Sequence, residues 1–445
     1  MEKKKNERTF FIESFGCQMN DRDSEIMAQL LSDSYKPSLT VNDADIVLVN
    51  TCSIRQKAEQ KAMSLLGTLK IIKKNKPGMV IAVVGCVAQQ EGKKLLARLP
   101  YVDLVLGTQN IYKLPLFLND ITANHKRISA VEQTAAFTIP PYLPDVDKGP
   151  AHKRFVTIMQ GCNNYCTYCV VPYTRGREIS RNFTDIIAEV EHLTRHGVKE
   201  ITLLGQNVNS FGRDIENNET NFSKLLRATA AIKGLKRLRF TTSNPKDLND
   251  ELIQCFADID ILCPHFHLPV QSGSNIVLKR MNRKYTIERY LDLVNRLRIA
   301  RPDIAITTDI IVGFPGESTE DFQATMDLVD NVRYHGAYSF KYSDRPQAKS
   351  VAFDGKLSEE VKGERLATLQ AKINQIVMER NQEFIGKIEE VMVEGQSRTH
   401  TGQWSGRTGS NHIVNFTAEK SLKPGRIINI EINEACQHSL RGLAK

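Results

Sequence analysis

Four short apolar runs in this sequence each lead directly into a cysteine. Their length is that of buried strands rather than helices, and amphipathic helical patterns over Ser24–Ser34 and Ala58–Lys74 separate the first three. This alternation predicts a parallel, doubly wound α/β sheet in the first third of the chain. The runs are Thr9–Ser14, Asp45–Asn50, Met79–Val84 and Phe155–Gln160, and the cysteines after them are Cys17, Cys52, Cys86 and Cys162.

The first three of these cysteines are predicted to meet in space. The carboxyl ends of parallel strands share one edge of a sheet, where ligands bind, so Cys17, Cys52 and Cys86 should converge there. Three thiolates can hold three irons of a 4Fe-4S cluster and leave the fourth open. The alternative is that the thiols pack as small apolar groups. Their recurrence at three equivalent strand ends favours a cluster.

A second set of thiols lies on one loop, in the pattern Cys162-x3-Cys166-x2-Cys169. This spacing predicts a second 4Fe-4S cluster with one open iron, the kind of vacant position that catalysis at a metal needs. A structural zinc site is the alternative, but no fourth Cys or His follows at finger-like spacing. The other cysteines share no pattern and are predicted to pack as ordinary side chains; they are Cys255, Cys263 and Cys436.

A chain of 445 residues is too long for one ordinary core, and its patterns change three times. The predicted parts are an N-terminal α/β domain at 8–137, a proline-rich linker at 138–150, a partial TIM-like (β/α)6 barrel at 151–383, and a small antiparallel β-barrel at 384–445. The predicted barrel strands are Phe155–Gln160, Glu200–Leu204, Arg237–Thr241, Cys263–Leu268, Ala305–Val312 and Ala337–Lys341.

Composition narrows the possible classes of protein. The chain has no apolar run long enough to span a membrane, and the run after its first lysines is too short for an export signal, so we expect a cytoplasmic protein, and we expect it to be a monomer. Nine cysteines, an odd number, exclude a fully paired disulfide framework. The net charge of +9 is compatible with a polyanionic partner but does not require one.

Longer motifs carry a resemblance to a known family. The CxxxCxxC loop after the first barrel strand resembles the radical SAM (S-adenosylmethionine) superfamily. The N-terminal three-cysteine domain and the C-terminal β-barrel, there called the TRAM domain, resemble the methylthiotransferase family within it. The segments are SFGCQMNDRDSE, NTCSIRQKAEQK, VVGCVAQQEG, GCNNYCTYCVVPYTRGRE, LLGQNVNSFG, HLPVQSGSNIVLKRMNRKYT, TDIIVGFPGE and YSDRP.

The resemblance implies a tRNA-modifying enzyme. Its members of this type convert N6-dimethylallyladenosine at position 37 of tRNA, next to the anticodon, to the 2-methylthio derivative. The C2–H bond of adenine is not activated for acid–base chemistry, so a carbon radical made from SAM is implied. Two 4Fe-4S clusters, a second SAM as methyl donor, an external electron donor and a sulfur donor are implied as well.

The resemblance also assigns residues. The cluster at Cys162, Cys166 and Cys169 would bind SAM, and the one at Cys17, Cys52 and Cys86 would carry the transferred sulfur. Many superfamily members have an acidic residue where this chain has Gln206-Asn207, so the SAM amino group would meet backbone carbonyls there. The implied SAM contacts are Tyr168 at the adenine, Gly205, Gln206 and Asn207 at the methionine part, Ser243 at the ribose, and Gly313, Pro315 and Gly316 at the adenosine.

Basic residues are candidates for contact with RNA. Residues 275–301 hold eight Lys or Arg, although such a run can equally be a solvated helix surface. Three arginines after the cluster loop are predicted near the mouth of the active site, and two aromatic residues of the C-terminal barrel are candidates for base stacking. These residues are Arg175, Arg177 and Arg181, then Trp404 and Phe416.

Three other functions stay open at this point. The substrate could be threonylcarbamoyl-adenosine in tRNA or an aspartate of a ribosomal protein, each with the same clusters. A protein of another class, an RNA-binding iron–sulfur redox sensor, would need no SAM-contacting loops, and the loops at Gly205–Asn207 and Gly313–Gly316 therefore favour an enzyme.

Overall fold

The structure, a computed structural model, describes residues 8–53, 56–134, 136–146, 151–215, 220–397, 402–418 and 421–445. Residues 147–150 of the predicted linker lie outside this part. Two compact units can be separated, and they are described one at a time. The first contains the chain up to Asp145 with Met159–Asn163 and Val170–Arg181; the second contains Val146–Ile158, Asn164–Cys169 and Asn182–Lys445.

The first unit is built on a six-stranded parallel sheet in the order β2-β1-β3-β4-β5-β6. This confirms the predicted doubly wound sheet. Helix α1 begins at Gln18, earlier than the apolar pattern indicated. The elements are β1 Thr9–Ser14, α1 Gln18–Ser32, β2 Lys36–Pro37, β3 Ile46–Thr51, α2 Gln56–Asn75, β4 Val80–Gly85, α3 Cys86–Glu91, α4 Lys93–Arg98, β5 Leu104–Leu106, α5 Leu114–Asn124 and β6 Ile128–Ala130.

Two apolar layers, one on each face, hold this sheet. Every residue of β3 and β4 is buried, which is typical of parallel strands covered by helices on both sides. Leu48 packs into one layer and Val47 and Val49 into the other. Burial on both faces fixes the strands in register, so the residues just after them are held in place at the carboxyl edge.

The second unit contains the predicted partial barrel. Six parallel strands follow one another in chain order as two three-stranded sheets, which a bridge between Leu238 and Leu262 joins. The elements are β7 Lys153–Thr157, β8 Met159–Gln160, α6 Val171–Thr174, β9 Ile179–Ser180, α7 Phe183–Arg195, β10 Glu200–Leu204, α8 Phe222–Ala230, β11 Arg237–Phe240, α9 Asp250–Asp258, β12 His265–His267, α10 Asn275–Arg280, α11 Ile287–Ala300, β13 Ala305–Val312, α12 Thr319–Val332, β14 Gly336–Lys341 and α13 Glu359–Gln382, of which β8, α6 and β9 belong to the first unit.

The last part of the second unit is a closed five-stranded barrel in the order β15-β16-β17-β19-β18, as predicted, except that β17 and β19 pair in parallel whereas an antiparallel barrel was expected. Phe416 is fully buried in its core, so the prediction that this ring stacks on a base is wrong. Trp404 is only half-buried and stays a candidate. The strands are β15 Ile388–Gln396, β16 Trp404–Thr408, β17 Ile413–Thr417, β18 Ile427–Ala435 and β19 Leu440–Ala444.

The small barrel is attached to the amino ends of the large-barrel strands. Arg237, the first residue of β11, donates to the carbonyls of Arg407 and Glu390 at 2.7 and 2.8 Å. Arg239 donates to Thr408 and Gly409 at 2.7 and 2.9 Å. The small barrel therefore lies at the opposite end of the strands from the loops predicted to contact SAM. No helix among the described residues is long and apolar enough to cross a membrane.

Candidate active site

The structure brings the three N-terminal cysteines together at one edge of the sheet. Cys17 follows β1 as the residue before α1, Cys52 follows β3, and Cys86 follows β4 as the first residue of α3. A hydrogen bond with Cys52 lowers the pKa of Cys17 to about 6 despite burial. Burial raises the pKa of Cys86, and the nearby charge of Cys17 raises it further. The predicted convergence of these thiols is therefore present.

Two glycines make this convergence possible. A Cβ atom on Gly16 would lie 2.6 Å from the Cβ of Cys52. Gly85 has φ +92°, and a Cβ there would lie 2.5 Å from both Asn50 Oδ1 and the carbonyl oxygen of Thr51. Such distances are well inside van der Waals contact, so the glycines before Cys17 and Cys86 allow neighbouring strand ends to approach.

A buried amide network holds the same strand ends. Asn20 donates to Asn50 Oδ1 and to the carbonyl of Thr51, each at 2.9 Å, and Asn50 donates back to the carbonyl of Asn20 at 2.9 Å. The thiol of Cys17 donates to Asn20 Oδ1 across 3.3 Å. Both asparagines are fully buried, so the network links the loop after β1 rigidly to the end of β3.

A buried ion pair beside these thiols was not predicted. Arg175, expected at the mouth of the active site, is buried and its Nη2 lies 2.7 Å from Asp23 Oδ2. Burial alone would lower the pKa of Arg175, but the charges of Asp23, Cys86 and Cys17 raise it, so the guanidinium stays charged. Arg181 is also buried, and Arg177 alone of the three is exposed.

The CxxxCxxC loop is held by hydrogen bonds within each unit. In the first unit, the N–H of Cys162 donates to the carbonyl of Gly176 at 3.2 Å. In the second, Asn282 donates to the carbonyls of Asn164 and Tyr165 at 3.2 and 3.0 Å. The Nη1 atom of Arg283 lies 3.4 Å from Cys166 Sγ. The three cysteines of this loop are near one another because so few residues separate them in the sequence.

Two of the loops expected to contact SAM are joined to each other. The N–H of Val208 donates to the carbonyl of Thr242 at 2.9 Å, and Asn207 donates to Asp247 Oδ2 at 2.8 Å. Gly205 is buried and Gln206 is half-buried in the same loop. The structure thus brings Gly205–Asn207 close to Ser243, and the resemblance assigns both to SAM.

Two details of the loop after β11 indicate a ligand site. Thr242 has φ +73°, an uncommon conformation for a β-branched residue, and such strain is often found at functional sites. The hydroxyl of the neighbouring Ser243 is buried and meets no hydrogen-bond partner among the described residues. A buried hydroxyl normally has a partner, so Ser243 fits the ribose contact expected of it.

The loop after β13 holds the remaining predicted SAM contacts. Tyr168 packs against the cluster that contains Phe314, which places it beside Gly313 and Pro315. Gly313 and Gly316 have φ values of +71° and +81°, so both turns favour glycine. The space that a Cβ would occupy is filled by Lys362 at Gly313 and by Arg280 at Gly316. The turn therefore accounts for both glycines, and their contact with SAM stays a prediction.

The basic stretch 275–301 is mostly engaged within the protein. Arg283 is turned to Cys166, and Arg280 donates from Nε to the carbonyl of Pro315 at 3.0 Å. The RNA-binding face predicted for 275–301 therefore does not include Arg283, and Arg280, although exposed, is committed to the loop after β13. The other arginines bind acidic side chains or carbonyls, and Lys279 and Lys284 are exposed without a partner in the described residues; those arginines are Arg289, Arg296, Arg298 and Arg301.

The donor sets suit clusters better than a single ion. Among the described residues, no three His, Cys, Asp or Glu side chains are close enough to hold one metal ion. The ligands of a 4Fe-4S cluster bind different irons, so their sulfurs stand further apart than ligands of one zinc. Three converging thiols with a charged arginine beside them fit an anionic iron–sulfur group.

Three family models together match most of the chain. Residues 9–107 match the uncharacterized protein family UPF0004, residues 156–329 match the radical SAM superfamily, and residues 382–445 match the TRAM domain. The chain is 54% identical to the tRNA-2-methylthio-N(6)-dimethylallyladenosine synthase of Desulfotalea psychrophila, over 98% of both chains.

The chain belongs to that synthase family. The corresponding synthase of Geotalea uraniireducens is 47% identical, again over 98% of each chain. The chain is accordingly a transferase of the radical SAM superfamily, and its cofactors are SAM and iron–sulfur. The methylthiotransferase resemblance of the sequence motifs is confirmed.

Solved structures share the fold at low identity. The radical SAM methyltransferase TsrM of Kitasatospora setae superposes with a TM-score of 0.55 at 13% identity and covers 83% of this chain and 89% of its own. The cobalamin-dependent radical enzyme OxsB gives 0.54 at 12% identity, covering 83% of this chain and 56% of its own. These likenesses concern the fold alone.

Proposed function

We propose that this chain is a methylthiotransferase that converts N6-dimethylallyladenosine to its 2-methylthio derivative at position 37 of tRNA. The observation that carries the proposal is the 54% identity, over 98% of both chains, with a synthase named for this product. The three thiols gathered at the ends of β1, β3 and β4 support it, since sulfur transfer needs a sulfur-binding site besides the one for SAM.

Two clusters are part of the proposal. Cys162, Cys166 and Cys169 would hold the one that binds SAM, and Cys17, Cys52 and Cys86 would hold the auxiliary one. When bound, the first supplies, with SAM, a carbon radical able to open the C2–H bond, and the second supplies the sulfur. The Asn20–Asn50 network and Arg175 support the auxiliary site, and Arg283 supports the other.

The chain's own residues would position SAM. The joined loops after β10 and β11 offer backbone groups at Gly205 and Gln206 and the buried hydroxyl of Ser243. Tyr168 packs against the apolar cluster that contains Phe314, under the loop after β13. An adenine bound between Tyr168 and that loop would contact the tyrosine ring. Because Asn207 is already bonded to Asp247, its role is to fix the loop rather than to hold the amino group directly.

RNA binding would involve more than one part of the second unit. The small barrel is attached at the amino ends of the strands, whereas Ser243 and Gly313 lie at the carboxyl ends. A tRNA stem-loop that reached both would have to pass along the outside of the large barrel. The exposed Lys279 and Lys284 are candidates for phosphate contacts on that path.

The experiment is an anaerobic turnover assay. The reconstituted chain is incubated with SAM, a strong reductant and tRNA bearing dimethylallyladenosine, and digested nucleosides are analysed by mass spectrometry. Matched reactions contain the same tRNA without the dimethylallyl group, tRNA with threonylcarbamoyl-adenosine, or ribosomal protein. We expect methylthiolation in the first reaction only. A product in either of the last two, with none in the first, would reject the substrate proposed.

A further inference from the structure

Arg175 occupies a fixed position on the loop that follows the CxxxCxxC motif. Its N–H donates to the carbonyl of Val171 at 2.8 Å, and its own carbonyl accepts from Gln160 Nε2 at 3.3 Å. The next carbonyl, that of Gly176, accepts from the N–H of Cys162 at 3.2 Å. The backbone on both sides of the Arg175 side chain is therefore held.

Only one of the two terminal nitrogens of the Arg175 guanidinium has a hydrogen-bond partner among the described residues. Its side chain is 3% exposed, and Nη2 is 2.7 Å from Asp23 Oδ2. Nη1 is buried and meets no hydrogen-bond acceptor among the described residues. A buried donor without a partner costs about 1–3 kcal/mol, and native proteins rarely leave one. An acceptor on this side of the guanidinium would remove that cost.

The groups nearest to this donor identify the acceptor. Cys86 and Cys17 both lie close enough to Arg175 for their charges to act on it. Asp23 already balances the charge of the guanidinium, and the side chain of Arg175 also lies within hydrogen-bonding reach of the Cys86 thiol, so the guanidinium faces a predicted cluster ligand. The hydroxyl of Ser53, next to Cys52, is a second buried donor without a partner in the described part of the chain. Two unsatisfied donors beside three thiols point to sulfur of a bound cluster.

We propose that Arg175 donates a hydrogen bond from Nη1 to a sulfur of the auxiliary cluster and so raises the reduction potential of that cluster. This rests on the auxiliary cluster of the proposed function. Hydrogen bonds to cluster sulfurs stabilise the more negative, reduced form. Ser53 donates to the same cluster. Because Gly176 also anchors Cys162, one short loop positions groups at both cysteine sites.

The test isolates the auxiliary cluster. The parent is the full chain with Cys162, Cys166 and Cys169 changed to Ala, reconstituted anaerobically, and Arg175→Met, Arg175→Lys and Ser53→Ala are made in it. Arg177→Met is the matched control, since Arg177 is exposed two residues away. Iron and sulfide are counted, thermal unfolding is followed by circular dichroism, and the reduction potential is measured by titration with electron paramagnetic resonance detection.

We expect about four irons in the parent and in the control, with equal potentials. Arg175→Met should lower the ratio of reduced to oxidised cluster at fixed potential about tenfold, which corresponds to about 59 mV for one electron. The potential of Arg175→Lys should lie between those of the parent and of Arg175→Met. A lysine ammonium keeps the charge, but it cannot donate to Asp23 and to the cluster at once as the planar, forked guanidinium can. If Arg175→Met does not fold, Ser53→Ala supplies the comparison and should shift the potential in the same direction.

Two results would overturn the inference in distinguishable ways. If the parent folds but binds no iron, the auxiliary cluster does not form, and the proposed role of Arg175 is rejected together with it. A parent with four irons, and potentials of the Arg175 and Ser53 variants equal to that of Arg177→Met, would reject the hydrogen bonds while leaving the cluster in place.

Discussion

Arg283 donates from Nη1 to the Sγ atom of Cys166 across 3.4 Å. Its other nitrogens donate to the carbonyl of Pro269 and the hydroxyl of Tyr285, each at 2.9 Å. The guanidinium also lies 5.1 Å from the centre of the Tyr285 ring. A cationic donor held this firmly would orient and stabilise a thiolate at the proposed SAM-binding cluster.

Replacement of Arg283 by Met should therefore impair SAM cleavage. The variant removes the donor to Cys166 and leaves the carbonyl of Pro269 with only the longer hydrogen bond from the Tyr285 hydroxyl, at 3.4 Å. We expect 5′-deoxyadenosine formation to fall about tenfold or more, which is about 1.4 kcal/mol in the barrier. Arg289→Met, on the surface of α11, is the control. Equal rates in the two variants would mean that the contact with Cys166 has no role in cleavage.

Gly85 should not tolerate a side chain. With φ +92° and a Cβ 2.5 Å from Asn50 Oδ1, Gly85→Ala should destabilise the first unit by about 1–3 kcal/mol and reduce the iron retained. Gly67, in α2, has nothing within 4 Å of its Cβ position, and Gly67→Ala should stabilise by up to about 1 kcal/mol. Thermal unfolding and iron counts measure both, and an unaffected Gly85→Ala would show that the strand ends can separate.

The strand positions, the convergence of the N-terminal cysteines and the small barrel could be predicted from the sequence. The buried strands β3 and β4 are apolar on both faces, so their positions and the convergence of Cys17, Cys52 and Cys86 followed from pattern alone. The small barrel was predicted because glycines divide short strand patterns, although Leu440–Ala444 shows no signal of its own.

The partners of the arginines could not be predicted. Arg175 and Asp23 are 152 residues apart, and Arg283 and Cys166 are 117 apart, so no local pattern joins them. A run of basic residues was interpreted as a surface because charges are usually solvated. The half-buried position of Arg283 depends on the packing of Tyr285 and the loop around Pro269, which only the three-dimensional structure shows.

Acid should weaken the contact between the two barrels of the second unit, where the rings of His335, before β14, and His412, before β17, lie 6.0 Å apart. Burial lowers the pKa of His335 to about 3 and that of His412 to about 4, from an ordinary 6.5. Below pH 6.5 the unfolded chain binds protons that the folded chain does not, so stability falls as the pH is lowered from 6.5 toward 4, by about 1.4 kcal/mol per pH unit for each histidine.

The measurement is the melting temperature between pH 7.5 and 4.5. His412→Asn should flatten this dependence, whereas His438→Asn, at an exposed position, should leave it as it is. Identical pH profiles for the wild type and His412→Asn would contradict the assignment of the acid sensitivity to this junction.

Lys279 and Lys284 should bind RNA phosphates if the tRNA passes along the large barrel. Charge reversal of both to Glu should weaken tRNA binding and reduce the slope of log affinity against log salt by about 0.7–0.9 for each phosphate that is no longer neutralised. Lys70→Glu with Lys74→Glu, exposed on α2, is the control for net charge. Equal slopes in the two double variants would show that this face is only solvated.

The central claim is that two separate cysteine sites divide the work. Cys17→Ala and Cys166→Ala, each reconstituted and supplied with SAM, reductant and dimethylallyl-modified tRNA, test it most directly. We predict that Cys17→Ala still produces 5′-deoxyadenosine but no methylthio-adenosine, and that Cys166→Ala produces neither. A folded Cys17→Ala chain that had lost SAM cleavage as well, or that still methylthiolated the tRNA, would contradict the account.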